Sequence, residues 1–218
     1  MVAGGTGAIG AAIVERLAPG VRVIVPARDP AAARLPAGVS VVRRDISSRE
    51  DVAALAGDVA AQGLWRALVV ATGGYAAGAA HLVEDGAVQQ QLELNLLGPW
   101  RLARAAVEAM LAHGTGGRVV MVGSRASVRV EPGAAAYQVS KAALARLVEV
   151  MARELRGTGI TVNAVLPSIV DTPANRSAIS GDPSRWVPAS HIANAVAWLL
   201  GDDAQSTSGA LLPVYGDA

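Results

Sequence analysis

The sequence has 218 residues, a formal net charge of +1 and no cysteine. This length suits one domain, and 52% hydrophobic against 17% charged residues exclude global disorder. A net charge near zero gives no electrostatic reason to expect nucleic acid or an anionic membrane surface, and the lack of cysteine excludes a disulfide scaffold and thiolate metal sites. We therefore expect one soluble, cytoplasmic domain over residues 1–218 that holds no metal.

Short aliphatic runs alternate with longer helical segments along the chain. The runs at 21–25, 39–42, 67–71, 118–122, 160–165 and 210–212 are typical of strands buried on both faces, as in a parallel sheet. Helical patterns cover 9–17, 49–62, 84–113, 134–156 and 190–200. This alternation predicts an α/β fold of βαβ units with right-handed crossovers.

Three local signals refine this outline. Ser47 followed by Glu50 forms a capping box and predicts the start of the second helix. Gly98 and Pro99 predict a kink within the helical segment 84–113. The segment 167–188 has internal prolines and little regular pattern, and a loop of this length in a compact domain is usually functional or mobile.

A glycine-rich turn lies where a first strand would lead into the first helix. Gly4, Gly7 and Gly10 would let the backbone turn tightly and approach a pyrophosphate, while the helix N-terminus offers free N–H groups to the anion. An ordinary loop would explain the same glycines. Their position at the start of an alternating α/β pattern favours nucleotide binding.

Two residues after the second strand bear on which dinucleotide would bind. Asp29 could hold an adenosine ribose, although it is better explained as a helix N-cap followed by Pro30. Arg28 then favours a 2′-phosphate, because a planar guanidinium matches a phosphate group well. A solvated surface charge is the alternative for Arg28. We expect NADP(H) rather than NAD(H).

Tyr137 and Lys141 lie four residues apart in the helical segment 134–156, which places them on one face of a helix. A phenol with a pKa of about 10 is a poor acid or base at neutral pH, but a nearby ammonium favours the phenolate and lowers that pKa. Lys141 is the single lysine beside 18 arginines, whose planar guanidinium gives a different contact. The pair indicates a general acid/base, with a lysine packed along a helix surface as the alternative.

Ser124 follows the strand run 118–122, at the strand end where α/β folds place their ligands. Its hydroxyl could bond a substrate carbonyl and the alkoxide that develops from it. A turn or cap residue is the alternative explanation, and Ser127 is the competing candidate for the same role.

Taken together, these residues resemble the short-chain dehydrogenase/reductase family. The shared residues, in chain order, are Gly4, Gly7, Gly10, Asn95, Ser124, Tyr137, Lys141 and the run Asn163, Ala164, Val165, Leu166 and Pro167. The resemblance implies a Rossmann-like, doubly wound parallel sheet of about seven strands with helices on both faces. It also implies an NAD(P)(H)-dependent oxidoreductase that moves a hydride between nicotinamide and a carbonyl or alcohol substrate, with Tyr137 as general acid/base.

The resemblance implies further roles. Lys141 would lower the pKa of Tyr137 and hold the nicotinamide ribose, Ser124 would orient the substrate oxygen, and Asn95 would hold a water of a proton relay unless it only stabilises a helix kink. Asp45 would contact the adenine unless it is a turn residue. The implied cofactor contacts are Gly4, Thr6, Gly7, Ile9, Gly10, Arg28, Asp45, Ile46, Thr72, Gly73, Tyr137, Lys141, Pro167, Ile169 and Thr172.

Other features leave alternatives open. The runs 71–75 and 166–176 look similar to the dihydropteridine reductase branch of the family, so a pterin or a related C=N compound is an alternative substrate. Only three residues precede Gly4, which truncates the first strand. We expect either a natural chain that starts upstream or a loosened cofactor end of the sheet, and the latter would suit a non-catalytic NADP-binding scaffold or redox sensor. By resemblance, the two long helices would pair in a homodimer or homotetramer.

Overall fold

The computed structural model describes residues 1–217 and contains a central parallel sheet. The strands are β1 (Val2–Ala3), β2 (Ile24–Ala27), β3 (Ser40–Arg43), β4 (Ala67–Val70), β5 (Gly117–Val122), β6 (Ile160–Pro167), β7 (Val170–Asp171), β8 (Val187–Pro188) and β9 (Leu211–Val214). Five of them form one parallel ladder in the order β1-β4-β5-β6-β9.

The parallel pair β2–β3 lies beside the end of this ladder, where β2 contacts β1. The ladder and the pair together give seven parallel strands, which agrees with the prediction of about seven. The pair is not hydrogen-bonded into the same ladder. β1 has two residues, which pair with β4. The first strand is therefore as short as the three residues before Gly4 predict.

Helices cover both faces of the sheet. They are α1 (Ala8–Leu17), α2 (Arg49–Ala60), α3 (Asp85–Leu92), α4 (Gly98–His113), α5 (Ala135–Glu154), α6 (Pro173–Ala178) and α7 (Ala189–Leu200). Successive strand residues point to opposite faces, so Leu68 and Val70 pack in one core layer with α2, α4 and α5, and Val69 packs in the other with α1 and α7. The doubly wound α/β prediction is confirmed.

The predicted helical segment 84–113 is broken one turn earlier than expected. Residues Glu93–Leu97 form a π-helical turn that joins α3 to α4, and Gly98 and Pro99 are the first two residues of α4. Pro99 has no N–H to continue the i→i−4 hydrogen bonds of the preceding helix, which suits the change of helical pattern at this point. Single π turns inside helices are frequent at functional sites.

The predicted capping box is displaced by one residue. Ser48, and not Ser47, caps α2 by accepting a hydrogen bond from the Asp51 backbone N–H at 3.2 Å, and its hydroxyl donates to Glu50. The Ser47 hydroxyl instead donates to Asp45 at 2.7 Å. Either serine hydroxyl could cap the helix. Because Ser47 is held in the turn by its bond to Asp45, Ser48 serves as the cap.

The irregular segment 167–188 contains β7, α6 and β8, and β7 pairs with β8 in parallel. The chain after β9 holds this segment in place. The Ser168 hydroxyl donates to the Tyr215 carbonyl, and the Arg185 guanidinium donates to the Asp217 carbonyl at 2.8 Å. Among the described residues, no helix combines the length and the apolar composition that crossing a bilayer requires.

Candidate active site

The predicted site residues come together along one edge of the sheet, because they follow the carboxyl ends of parallel strands. The turn from Gly4 follows β1, Arg28 follows β2, Asp45 and Ile46 follow β3, Thr72 and Gly73 follow β4, Ser124 follows β5, and Pro167, Ile169 and Thr172 lie at or after the end of β6. In open α/β sheets, ligands bind outside this edge.

The glycine turn is tightly packed. Gly4 has a φ of +80°, and a Cβ there would lie 2.8 Å from the Ala71 backbone. A Cβ at Gly10 would lie 2.0 Å from the Gly4 carbonyl oxygen. Glycine is therefore required at both positions if the first turn of α1 is to pass this close to the loop.

The start of α1 is suited to an anion. Within residues 1–217, no side chain caps α1 at Gly7, and its first turn carries no acidic residue. The backbone N–H groups and the positive end of the helix dipole are thus available to a phosphate. Thr6 is exposed beside this turn and Ile9 is half-buried in its first helical residues. These features fit the pyrophosphate of a dinucleotide.

Arg28, Asp29 and Asp45 surround the ends of β2 and β3. Asp29 caps the short helical turn that begins at Pro30, accepting from the Ala31 backbone N–H at 3.1 Å. The sequence interpretation of Asp29 as an N-cap agrees with this geometry. Arg28 is exposed, which leaves its guanidinium free to meet a ligand at this edge.

Asp45 accepts hydrogen bonds from the Ser47 backbone N–H at 3.0 Å and from the Ser47 hydroxyl. These bonds lower the pKa of Asp45, and the charge of nearby Arg28 adds to the lowering. The structure therefore agrees with the alternative interpretation of Asp45 as a turn residue. Asp45 is half-buried and follows β3 at the same edge of the sheet as Arg28.

Lys141 is buried below the site. Its ammonium donates a hydrogen bond to the Val122 carbonyl at 3.0 Å, and only 5% of the residue is exposed. A Cβ at Gly73 would lie 3.2 Å from the Lys141 Nζ and 2.8 Å from the Asn95 Oδ1. A side chain at position 73 would thus crowd both groups. Burial lowers the pKa of Lys141 from 10.5 to about 8.

Tyr137 lies beside Ser124, as the sequence predicts. Its hydroxyl is hydrogen-bonded to the Ser124 side chain, and the Ser124 hydroxyl also accepts from the Ala126 backbone N–H at 3.1 Å. Ser124 is thus both a cap residue and a partner of the phenol. The competing Ser127 has a buried hydroxyl oxygen without a hydrogen-bond partner within the described residues.

The pKa of Tyr137 is raised above its ordinary value of 10, not lowered. Burial is the main cause, the bond to Ser124 opposes it, and neighbouring Tyr75 raises the pKa further. The ammonium of Lys141 is not among these causes; it donates to the Val122 carbonyl, and burial lowers its own pKa. The protein alone therefore holds the phenol in its protonated form.

Asn95 sits in the π-helical turn and is fully buried. Its side-chain carbonyl accepts from the Gly74 N–H at 2.9 Å, and its amide nitrogen lies 3.0 Å from each of three oxygens, those of Gly74, Gln91 and Ser140. The Ser140 hydroxyl donates to the Tyr137 carbonyl at 2.7 Å. The amide thus joins the loop after β4 to the helix that carries the phenol.

The sequence analysis missed Gln91 and Ser140 as parts of this network. Both are polar and buried, Gln91 at 2% and Ser140 at 0% exposure. One signal was present, since Gln91 stands four residues before Asn95 and therefore on the same helix face. Nothing in the local sequence separates Ser140 from an exposed helix serine.

The segment after β6 places its predicted residues near the edge without direct bonds to the phenol. Pro167 ends β6, Ile169 is half-buried, and Thr172 is buried and caps α6 by accepting from the Asn175 N–H at 3.1 Å. On the other side of the site, the buried Thr72 hydroxyl oxygen has no hydrogen-bond partner among residues 1–217. The same described region contains no group of three or more His, Asp or Glu placed to hold a metal ion.

Comparison with known proteins agrees with this arrangement. The sequence profile of the short chain dehydrogenases matches residues 1–182. The cyclic-di-GMP-binding biofilm dispersal mediator protein of Escherichia coli is 31% identical over 99% of this chain and 94% of that protein. An uncharacterized NAD-dependent oxidoreductase of Mycobacterium tuberculosis is 34% identical, over 56% of this chain and 50% of that protein. The match spans about half of that relative's length.

A solved structure gives the same result at the level of the fold. A short-chain type dehydrogenase/reductase from Mycobacterium ulcerans superposes with a TM-score of 0.92 at 25% identity, covering 99% of this chain and 87% of that one. The profile match covers most of the chain, and the fold and the order of the site residues agree with it. The chain belongs to the short-chain dehydrogenase family.

Proposed function

We propose that the protein is an NAD(P)(H)-dependent oxidoreductase that interconverts a carbonyl compound and its alcohol. The observation that carries this proposal is the pairing of the Tyr137 hydroxyl with Ser124 directly after β5, above the ammonium that Lys141 anchors to the Val122 carbonyl at 3.0 Å. A binding module has no need of a half-buried phenol and a buried ammonium at one strand end.

The cofactor, when bound, supplies or takes up a hydride at the substrate carbon. We propose that the turn from Gly4 to Gly10 holds its pyrophosphate, supported by the uncapped start of α1 and by the close glycine packing. Thr6, Ile9, Arg28, Asp45, Ile46, Thr72, Gly73, Pro167, Ile169 and Thr172 would line the rest of the cofactor site along the strand ends. Residues 1–218 would thus carry both sites.

Tyr137 acts on the substrate oxygen in this proposal. In reduction, its hydroxyl donates a proton to the carbonyl oxygen, and in oxidation it takes the proton from the alcohol. The raised pKa of Tyr137 keeps the phenol protonated at neutral pH, which suits the donor role. Ser124 donates to the same oxygen and stabilises the negative charge that develops on it.

Lys141 and Asn95 support the phenol. With a pKa of about 8, Lys141 remains mostly protonated at pH 7 and places a positive charge behind the site. Asn95 keeps the loop after β4 and α5 in register through Gly74 and Ser140.

The cofactor preference that we propose is NADP(H) over NAD(H). Its support is the exposed guanidinium of Arg28 at the end of β2, combined with the use of Asp29 as a cap and not as a ribose ligand. The M. tuberculosis relative carries an NAD-dependent name, so the preference needs its own measurement.

The experiment for the main proposal is the substitution Tyr137→Phe. We expect turnover of ketones with NADPH to fall by at least about 100-fold, since positioned acid/base groups contribute factors of 10² to 10⁴. The dissociation constant for NADPH should stay within twofold. Tyr215→Phe, in the segment after β9, is the matched control and should keep its activity. Full activity of Tyr137→Phe would remove the phenol from the mechanism.

A second candidate function has its own observation. The E. coli relative that matches 99% of this chain carries a name that states cyclic-di-GMP binding. A non-catalytic nucleotide-binding role would give calorimetric binding of cyclic di-GMP and no NADPH oxidation with ketones, quinones or pterins. Turnover of a pterin alone would instead support the dihydropteridine reductase-like alternative.

A further inference from the structure

The loop after β4 is held firmly on both sides of Tyr75. On one side, both backbone polar groups of Gly74 are bonded to the Asn95 amide at 2.9 and 3.0 Å. On the other side, the Gly78 N–H donates to the Gly133 carbonyl at 2.7 Å, and the Gly78 carbonyl accepts from the N–H of Ala135 at 3.0 Å. The backbone that carries Tyr75 is therefore fixed relative to the start of α5.

The Tyr75 ring lies against the phenol of the candidate site. The Tyr75 and Tyr137 ring centroids are 5.1 Å apart and the ring planes meet at 64°, an edge-to-face contact. Tyr75 is nevertheless 67% exposed. One part of the ring is thus in contact with Tyr137, and most of it faces the outside beside the Tyr137–Ser124 pair.

An exposed aromatic ring on a fixed backbone is a preformed binding surface. Its placement costs little conformational entropy when a ligand binds, since the loop is already ordered and a tyrosine has two side-chain torsions. The wall beside the phenol is therefore aromatic at position 75.

We infer that Tyr75 is a specificity-determining residue that selects carbonyl substrates bearing a flat aromatic or heteroaromatic ring next to the reacting carbon. The ring of the substrate would stack against the exposed face of Tyr75 while its oxygen meets the Tyr137 and Ser124 hydroxyls. This inference rests on the proposed function, and it adds the class of substrate. A saturated ring of the same size lacks the π face and would gain less from this wall.

The test compares two ketones that differ only in their ring, acetophenone and cyclohexyl methyl ketone. The wild-type protein should prefer acetophenone in kcat/KM, and Tyr75→Leu should reduce that preference by about two- to tenfold, the range expected for one aromatic pair. Tyr75→Phe keeps the ring and should keep the preference. Trp198→Leu removes an exposed aromatic side chain of α7 and is the matched control. The ratio of two substrates is independent of the folded fraction of each variant.

An unchanged ratio in Tyr75→Leu, or an equal loss in Tyr75→Phe, would overturn the inference and leave the proposed oxidoreductase function intact. If the wild type reduces neither ketone, the test measures binding of the ketones instead of turnover. Saturation-transfer NMR on the NADPH complex should then show contacts to the acetophenone ring in the wild type and Tyr75→Phe, and a loss of these contacts in Tyr75→Leu. Equal signals in all three proteins would overturn the inference independently of catalysis.

Discussion

The packing of the glycine turn makes a sharp prediction for Gly10→Ala. The added methyl group would lie 2.0 Å from the Gly4 carbonyl oxygen, 2.6 Å from the Gly4 carbonyl carbon and 2.8 Å from the Gly5 Cα. All three atoms belong to the backbone, so no side-chain rotation can relieve the contact. Either α1 or the preceding turn has to move by more than about 1 Å to restore ordinary van der Waals distances.

The magnitude follows from two opposing effects. Overpacking of this kind costs about 1–3 kcal/mol, and the better helix propensity of alanine returns up to about 1 kcal/mol. Gly57→Ala in α2 measures the helix-propensity effect without overpacking, because no heavy atom lies within 4 Å of the position where its Cβ would be. That variant should show only the propensity gain and become more stable by about 0.5–1 kcal/mol.

Thermal unfolding and NADPH binding together test this reasoning. For a chain of this size, 1 kcal/mol corresponds to about 2–4 °C in Tm, so Gly10→Ala should melt several degrees below Gly57→Ala. NADPH affinity should fall in Gly10→Ala, where the displaced turn is the proposed pyrophosphate site, and stay unchanged in Gly57→Ala. Equal Tm values with equal NADPH affinities would refute both the close approach at Gly10 and its link to the cofactor.

Three further predictions follow from the buried polar groups and the exposed arginine. Asn95→Leu leaves both Gly74 groups unpaired and should lower the free energy of unfolding, measured by urea denaturation, by about 2–4 kcal/mol. The pKa of Lys141 is about 8 in the folded protein and 10.5 in the unfolded chain, so the unfolded state binds more protons between these two values. The free energy of unfolding should therefore rise by about 2–3 kcal/mol from pH 7.5 to 10. Lys141→Met should lack this rise. Arg28→Ala should weaken NADPH binding by about three- to tenfold and leave NADH binding unchanged, and equal losses for both cofactors would argue against a 2′-phosphate contact.

The elements of the fold could be predicted from the sequence because the signals are local and repeated. After Arg118, the run 119–122 is apolar throughout, and the structure places β5 at Gly117–Val122, with these residues buried on both faces of the sheet. The break in the long helical segment could not be placed in the same way. Its position depends on the Asn95 amide, whose partners at Gly74 and Ser140 lie 21 and 45 residues away.

The candidate site, too, could be predicted from the sequence only in part. The four-residue spacing of Tyr137 and Lys141 predicts a shared helix face, and both side chains do lie near the end of β5. In the protein alone the pKa of Tyr137 is raised and not lowered, which the spacing could not indicate because it carries no information about burial. Burial raises the pKa of the phenol and lowers the pKa of the ammonium, so each group in this structure favours its neutral form more than it would in water.

The site geometry depends on the register of the parallel ladder more than on any one motif. Met121 pairs with Val70 on one side and with Ala164 on the other, which aligns the residues that follow all three strands. A slip of β5 by one residue would move the Val122 carbonyl by about 3.3 Å and turn each β5 side chain to the opposite face. The 3.0 Å bond from Lys141 to that carbonyl would then be lost, and Ser124 would leave the Tyr137 hydroxyl. Variants that loosen the packing of β5 should therefore lose activity before they lose the fold.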